Sequence, residues 1–83
     1  MKLLYFAWVR ERIGLAEEEV DPPADITTPS DLLVWLKSRG PEFDHAFAEP
    51  ELIRIAVDQQ HIEHDEPIGE AREIALFPPM TGG

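Results

Sequence analysis

Cysteine is absent from this chain. With it go a disulfide framework, a thiolate zinc site and a thiol nucleophile, and the absence fits a reducing cytoplasm. Basic residues are scarce: seven Lys and Arg face seventeen Asp and Glu, for a formal charge of −10. No basic patch offsets that excess, so the phosphates of a nucleic acid would be repelled. The same field steers the chain toward partners with basic surfaces. No apolar run approaches the length that spans a bilayer, and no charged n-region with an apolar stretch opens the chain. No membrane association and no signal peptide are therefore expected, and a cytoplasmic location is.

What is present is a single small domain. Eighty-three residues, 43% of them hydrophobic, suffice for one core of marginal stability and are too apolar for a disordered acidic tail. No repeat, low-complexity segment or linker divides them. Leu3 to Val9 is a continuous apolar run, read as a central strand. Arg10 to Gly14 reads as a polar connection, and Leu15 to Val20 as a short acidic strand that completes an N-terminal hairpin. The prolines and aspartates of 21–25 break the pattern.

The clearest helix signal follows. Thr28 caps, Pro29 takes the first turn, and Asp31 completes a capping-box arrangement before the apolar stripe Leu32, Leu33, Trp35 and Leu36. Lys37 and Arg39 suit the C-terminal dipole, and Gly40-Pro41 ends the helix. Trp35 reads as core. Residues 41–50 read as a loop with a helical turn around Phe43 to Phe47. Leu52 to Val57 alternates as a strand, with Ile53, Ile55 and Val57 on one face and Arg54 and Ala56 on the other. Asp58 to Gln60 is a turn into a short strand at His61-Ile62, and Arg72 to Phe77 forms the last strand. This order predicts an α+β fold: a mixed sheet packed on one main helix, the β-grasp or ubiquitin-like arrangement, over residues 1–77. Residues 78–83 form an extended tail.

One helix covers one sheet face. With Leu3, Ala7, Val9, Ile74 and Leu76 under it, the other face receives Leu4, Phe6, Trp8, Ala56, Ala75 and Phe77. Either residues 41–50 fold over that apolar cluster or a partner protein does; the reading favours a partner. Pro78 and Pro79 end the strand and stiffen the exit. From Phe77 to Gly83 the chain reaches on the order of 20 Å when extended. The last residues are Gly82 and Gly83. Neither has a Cβ to widen the thread, and a free carboxylate there can attack an electrophile such as the α-phosphate of ATP.

Phe6-Ala7-Trp8-Val9-Arg10-Glu11 with Gly14 behind it, and the ending Leu76-Phe77-Pro78-Pro79-Met80-Thr81-Gly82-Gly83, resemble the small-subunit family of molybdopterin synthase (MoaD-like sulfur carriers). The match runs the length of the chain. It departs at 69–73, where the family often carries an Asp-Gly-Asp-Glu-like turn. The resemblance implies a β-grasp sulfur carrier. An E1-like adenylating enzyme would use ATP to make a transient acyl adenylate at Gly83, and a sulfur-donor protein would convert it to a thiocarboxylate. Docked in the large synthase subunit as a heterotetramer, that end would supply sulfur for the dithiolene of molybdopterin. Gly83 would react and Gly82 give access, with Phe6, Phe77, Pro78, Pro79, Met80 and Thr81 at the partner contact. The chain itself would bind no cofactor and no metal, and would not be catalytic alone.

Three other readings share parts of this pattern: a sulfur carrier for thiamine or tRNA thiolation, a ubiquitin-like modifier joined to lysines through Gly83, and a plain interaction domain. A metal or hydrolase site fits least. His61, Glu63, His64 and Asp65 cluster in sequence, but the absence of Cys and their place at a strand end and turn weigh against a zinc site, and His45 reads as surface. Glu17-Glu18-Glu19 reads as a solvated edge strand whose charge resists aggregation, ahead of a catalytic carboxylate pair.

Overall fold

Alternation of side chains along five short strands sets the layering of the chain. The computed structural model describes residues 1–79. Its elements are β1 (Lys2–Tyr5), α1 (Ala7–Ile13), β2 (Glu17–Glu19), α2 (Pro29–Lys37), α3 (Pro41–Ala46), a 3₁₀ turn (Pro50–Leu52), β3 (Arg54–Val57), β4 (Gln60–Ile62) and β5 (Glu73–Phe77). The sheet runs β2-β1-β5-β3-β4. β1 and β5 pair in parallel, with Leu3 opposite Ile74 and Tyr5 opposite Leu76, and the other neighbours are antiparallel. Leu3, Tyr5, Ile55, Ile74 and Leu76 form the buried face. Val9 and Ile13 of α1, Leu32, Leu33 and Leu36 of α2, and Phe43 and Ala46 of α3 close over it. This is the mixed β-grasp arrangement that the element order predicts, with three helices sharing the covered face. No helix among the described residues is long and apolar enough to cross a membrane.

The first apolar run departs from expectation. It stops being strand at Tyr5, and Ala7, Trp8 and Val9 begin α1. Val9 and Ile13 stand one helical turn apart on the buried side, with the polar Arg10, Glu11 and Arg12 between them. Ala7 makes the corner at φ 53°, a left-handed conformation that costs a non-glycine residue about 1–2 kcal/mol. Ala7 is consequently exposed rather than core. Trp8 packs at the core margin beneath Arg12, whose guanidinium lies 4.3 Å from the ring centroid; it does not join Leu4 and Phe6 on the opposite face. The expected connection at Arg10–Gly14 is the end of this helix. Gly14 caps it at φ 89°, donating its N–H to the Arg10 carbonyl at 2.8 Å.

The second helix follows its sequence signals. Thr28 Oγ1 accepts from the Asp31 N–H at 3.2 Å, and Asp31 Oδ2 accepts from the Thr28 N–H at 3.2 Å and the Thr27 N–H at 3.1 Å. These bonds hold the Asp31 carboxyl below its ordinary value, the Thr27 N–H contributing most. The helix ends at Lys37, and Gly40-Pro41 starts α3 instead of closing α2. α3 packs against α1 and α2, so residues 41–50 stay on the covered side. Trp35 is half-buried against the core.

The edge strand β2 is tied to the helices through one carboxylate. Glu18 accepts from Arg39 Nη1 at 2.9 Å and Nη2 at 3.0 Å, and from the Tyr5 hydroxyl at 2.6 Å. Arg39 also lies over Phe43 and Trp35, 4.8 and 5.4 Å from their centroids. Burial disfavours the Glu18 anion, but the bonds from Arg39 and Tyr5 outweigh it and hold the carboxyl below the usual range. Burial first, then Glu18, pushes the Tyr5 phenol well above its ordinary value.

Two tests follow from these contacts. A Cβ on Gly14 would meet nothing within 4 Å, so Gly14→Ala should cost only the backbone term, about 1 kcal/mol in urea denaturation. Because the folded-state value of Glu18 is lowered, its contribution is full above the unfolded carboxylate value of roughly 4.3 and is lost as pH falls through the folded one. Glu18→Gln should lower stability at pH 7 by about 1–3 kcal/mol and flatten the acid limb of stability against pH. An unchanged acid limb would remove Glu18 from the acid response.

Candidate functional site

The face of the sheet away from the helices shows what the strands leave over. Leu4, Ala75, Ala56 and His61 lie in one cross-strand row, and Phe77 and Arg54 are partners in the next. No helix covers this face among the described residues, and Leu4, Ala56, Ala75 and Phe77 are half-buried. Phe6 follows β1, donates its N–H to the Leu76 carbonyl at 3.2 Å, and is 45% exposed. Phe6 and Phe77 thus stand at the same end of neighbouring parallel strands, where the chain leaves the sheet at Pro78. The strained corner at Ala7 turns the backbone into α1 directly after Phe6 and leaves that side chain at the margin of the face.

Of the residues anticipated for a partner contact, Phe6, Phe77, Pro78 and Pro79 gather here. Met80, Thr81, Gly82 and Gly83 lie outside the described residues. Trp8 does not belong to the cluster. Arg54, His61, Phe77 and Pro79 line a groove of about 260 Å³ at the root of the tail. Sequence reasoning placed Arg54 on this face but gave it no role; its alternation with Ala56 was the available signal.

The histidines divide. His61 is exposed on the open face, and His45 is exposed on α3. His64 Nε2 lies 2.6 Å from the Ile53 carbonyl, and the His64 carbonyl accepts from the Ser30 N–H at 3.1 Å. His64 therefore fastens the segment after β4 to the residue that leads into β3 and to α2. Among the described residues no group of three or more His, Asp or Glu is arranged to hold a metal. Around Phe77 the face offers aromatic, alanyl and prolyl contact area with a guanidinium and an imidazole beside it. Contact areas of this composition are common at protein–protein interfaces.

The ThiS family model matches residues 3–83 of this chain. The molybdopterin synthase sulfur carrier subunit of Escherichia coli K12 is 35% identical over 83 residues, covering 100% of this chain and 99% of that protein. The protein of the same name from Dictyostelium discoideum is 36% identical over 84 residues, covering 99% and 94%. In structure, small archaeal modifier protein 1 of Haloferax volcanii superposes with a TM-score of 0.72 at 26% identity, with 95% of each chain covered.

Position on the open face makes Phe77 a surface residue in energetic terms. Phe77→Ala should reduce stability by about 1 kcal/mol, well short of the 3–5 kcal/mol typical of an emptied core phenylalanine. A core-sized loss in chemical denaturation would move Phe77 into the interior.

Proposed function

The chain belongs to the ThiS family, and from that premise we propose that it is the cytoplasmic sulfur-carrying small subunit of a molybdopterin synthase. The observation that carries this reading is the open face. Its aromatic end, Phe6 and Phe77, coincides with the point where the tail departs, so docking and delivery are aligned. The full-length similarity to sulfur carrier subunits of molybdopterin synthase supports it.

In this reading the Gly83 carboxylate attacks the α-phosphorus of ATP in the active site of an adenylating enzyme. Pyrophosphate leaves, and an acyl adenylate remains at Gly83. A persulfide sulfur of the donor protein then attacks the carbonyl carbon and AMP departs. Cleavage of the resulting acyl persulfide by a second thiol of the donor releases the thiocarboxylate and a donor disulfide. The large synthase subunit receives the tail, with Phe6, Phe77, Pro78, Pro79, Met80 and Thr81 at the contact, and the thiocarboxylate gives its sulfur to the pterin precursor. Gly82 and Gly83 keep the thread narrow enough for both active sites. The acid–base groups and substrate pockets belong to the partners.

A second reading has its own observation: the likeness to small archaeal modifier protein 1. A modifier would be joined through Gly83 to lysines, and isopeptide-linked adducts in extracts of the native cell would identify it. A carrier for thiamine or tRNA thiolation shares the same tail chemistry. Co-purification with a large synthase subunit separates it from the molybdopterin branch.

The deciding measurement is the intact mass of the chain before and after incubation with adenylating enzyme, ATP and sulfur donor. Replacement of one oxygen by sulfur, mapped to the Gly83 peptide, is expected. Removal of Gly83 should abolish the shift while leaving the melting curve unchanged, and a sulfur gain by the truncated chain would overturn the mechanism. Phe77→Ala should weaken capture by the large subunit by more than its stability loss explains.

A further inference from the structure

The open face changes sign along its length. At the end where β1 and β5 begin, Glu17, Glu19 and Glu73 surround Lys2, and Lys2 Nζ lies 3.0 Å from Glu17. At the end where the tail leaves, the charged side chain that the strands place on this face is a cation. Arg54 stands opposite Phe77, and His61 stands opposite Ala56, so both share the face of Phe77. Together with Pro79 they line the groove at the tail root. Arg39 is bound to Glu18, and Arg12 stacks on Trp8. Arg54, by contrast, has no carboxylate within 4.0 Å among the described residues. Glu51 and Glu63 line a neighbouring cleft with Arg54 and His61, but neither forms an ion pair with Arg54.

An exposed guanidinium beside an apolar groove is a local exception on a chain of net charge −10. Long-range attraction brings basic surfaces to such a chain whatever their orientation, whereas a point of opposite sign favours one register. We propose that the Arg54–His61–Phe77–Pro79 groove seats a carboxylate-bearing segment of the large synthase subunit. Arg54 forks onto an Asp or Glu side chain of that segment, and an adjoining apolar side chain lies on Phe77 and Pro79. This assignment rests on the carrier reading above and adds the chemistry that fixes the docking register.

The test is binding of the full chain to the purified large subunit, by calorimetry and by kinetics at low and moderate salt. Wild type, Arg54→Glu and Arg54→Lys are compared. Arg54→Glu should weaken binding about tenfold or more at low salt, with a shallower salt dependence. Arg54→Lys keeps the charge but loses the fork, and should fall between the two. One Asp or Glu changed to Arg on the large subunit should restore binding to Arg54→Glu. Undiminished affinity of a folded Arg54→Glu chain, while wild type binds, overturns the proposal and leaves the carrier reading intact. Weakened binding only to the adenylating enzyme overturns it equally. A wild-type chain that does not bind the large subunit overturns the carrier reading together with this one.

Discussion

The parallel pairing of the first and last strands is the constraint on which the rest of the fold depends. Parallel neighbours cannot be joined by a tight turn, so everything between β1 and β5 is in effect their crossover. The ladder is bracketed by Lys2 N–H to the Arg72 carbonyl at 2.9 Å and Phe6 N–H to the Leu76 carbonyl at 3.2 Å. All three helices of the crossover lie on one face, and the other stays open. Because β5 also pairs with β3, it is flanked on both sides and its exit is fixed. Asp58 sets its entry in the same way, accepting from the N–H groups of Arg72 and Glu73 at 3.0 Å each. A chain leaving such a strand through Pro78 and Pro79, which have no N–H to extend the ladder, must depart between Phe6 and Arg54.

Acidity serves two ends in this molecule, and β2 separates them residue by residue. Glu18 turns inward, where the fork from Arg39 and the Tyr5 hydroxyl make it part of the packing. Glu17 and Glu19 turn outward, meeting Lys2 at 3.0 Å and the N-terminal amine at 3.3 Å. Exposed pairs of the second kind add little stability. Their effect is to keep an unpaired sheet edge charged, which deters edge-to-edge pairing with another chain. The inward carboxylate holds the edge strand to α2 and α3, and through Tyr5 to the central pair.

Much of this was legible from alternation alone. Parity placed Leu3, Ile55, Ile74 and Leu76 inside and Leu4, Ala56, Ala75 and Phe77 outside, and Thr28-Pro29 with Asp31 marked the start of α2. The misreading lay at Leu3 to Val9, where continuous apolarity does not distinguish a strand from a strand running into a helix. The Val9–Ile13 spacing and Gly14 as a cap were the local signals for α1. The left-handed corner at Ala7 was not legible, since nothing in an alanine announces positive φ and tertiary packing imposes it. Gly40-Pro41 looked like a terminus and proved to be a boundary between two helices, a distinction that depends on Phe43, Ala46 and Phe47 finding core. The groove at the tail root required pairing across β4, β3 and β5. Sequence order shows neither that Arg54 faces Phe77 nor that His61 joins them.

The composition of the open face also bears on what it avoids. An uncovered apolar surface on a small protein invites self-association, and here two features oppose it. Ala56 and Ala75 keep the middle of the face shallow, so it offers little interlocking relief to a second copy. The net charge of −10 makes the approach of another identical chain repulsive at moderate salt, within the roughly 8 Å reach of screening at 0.15 M. A basic partner experiences the opposite field and is drawn to the chain as a whole. In the docking proposed above, the shallow centre would let the partner's backbone come close, Phe6 and Phe77 would provide anchors, and Arg54 would reject registers that bring a cation to the groove. Repulsion of like chains thus comes from the net charge, and in the docking proposed above the register comes from its local reversal at Arg54, beside the point where the chain leaves the sheet.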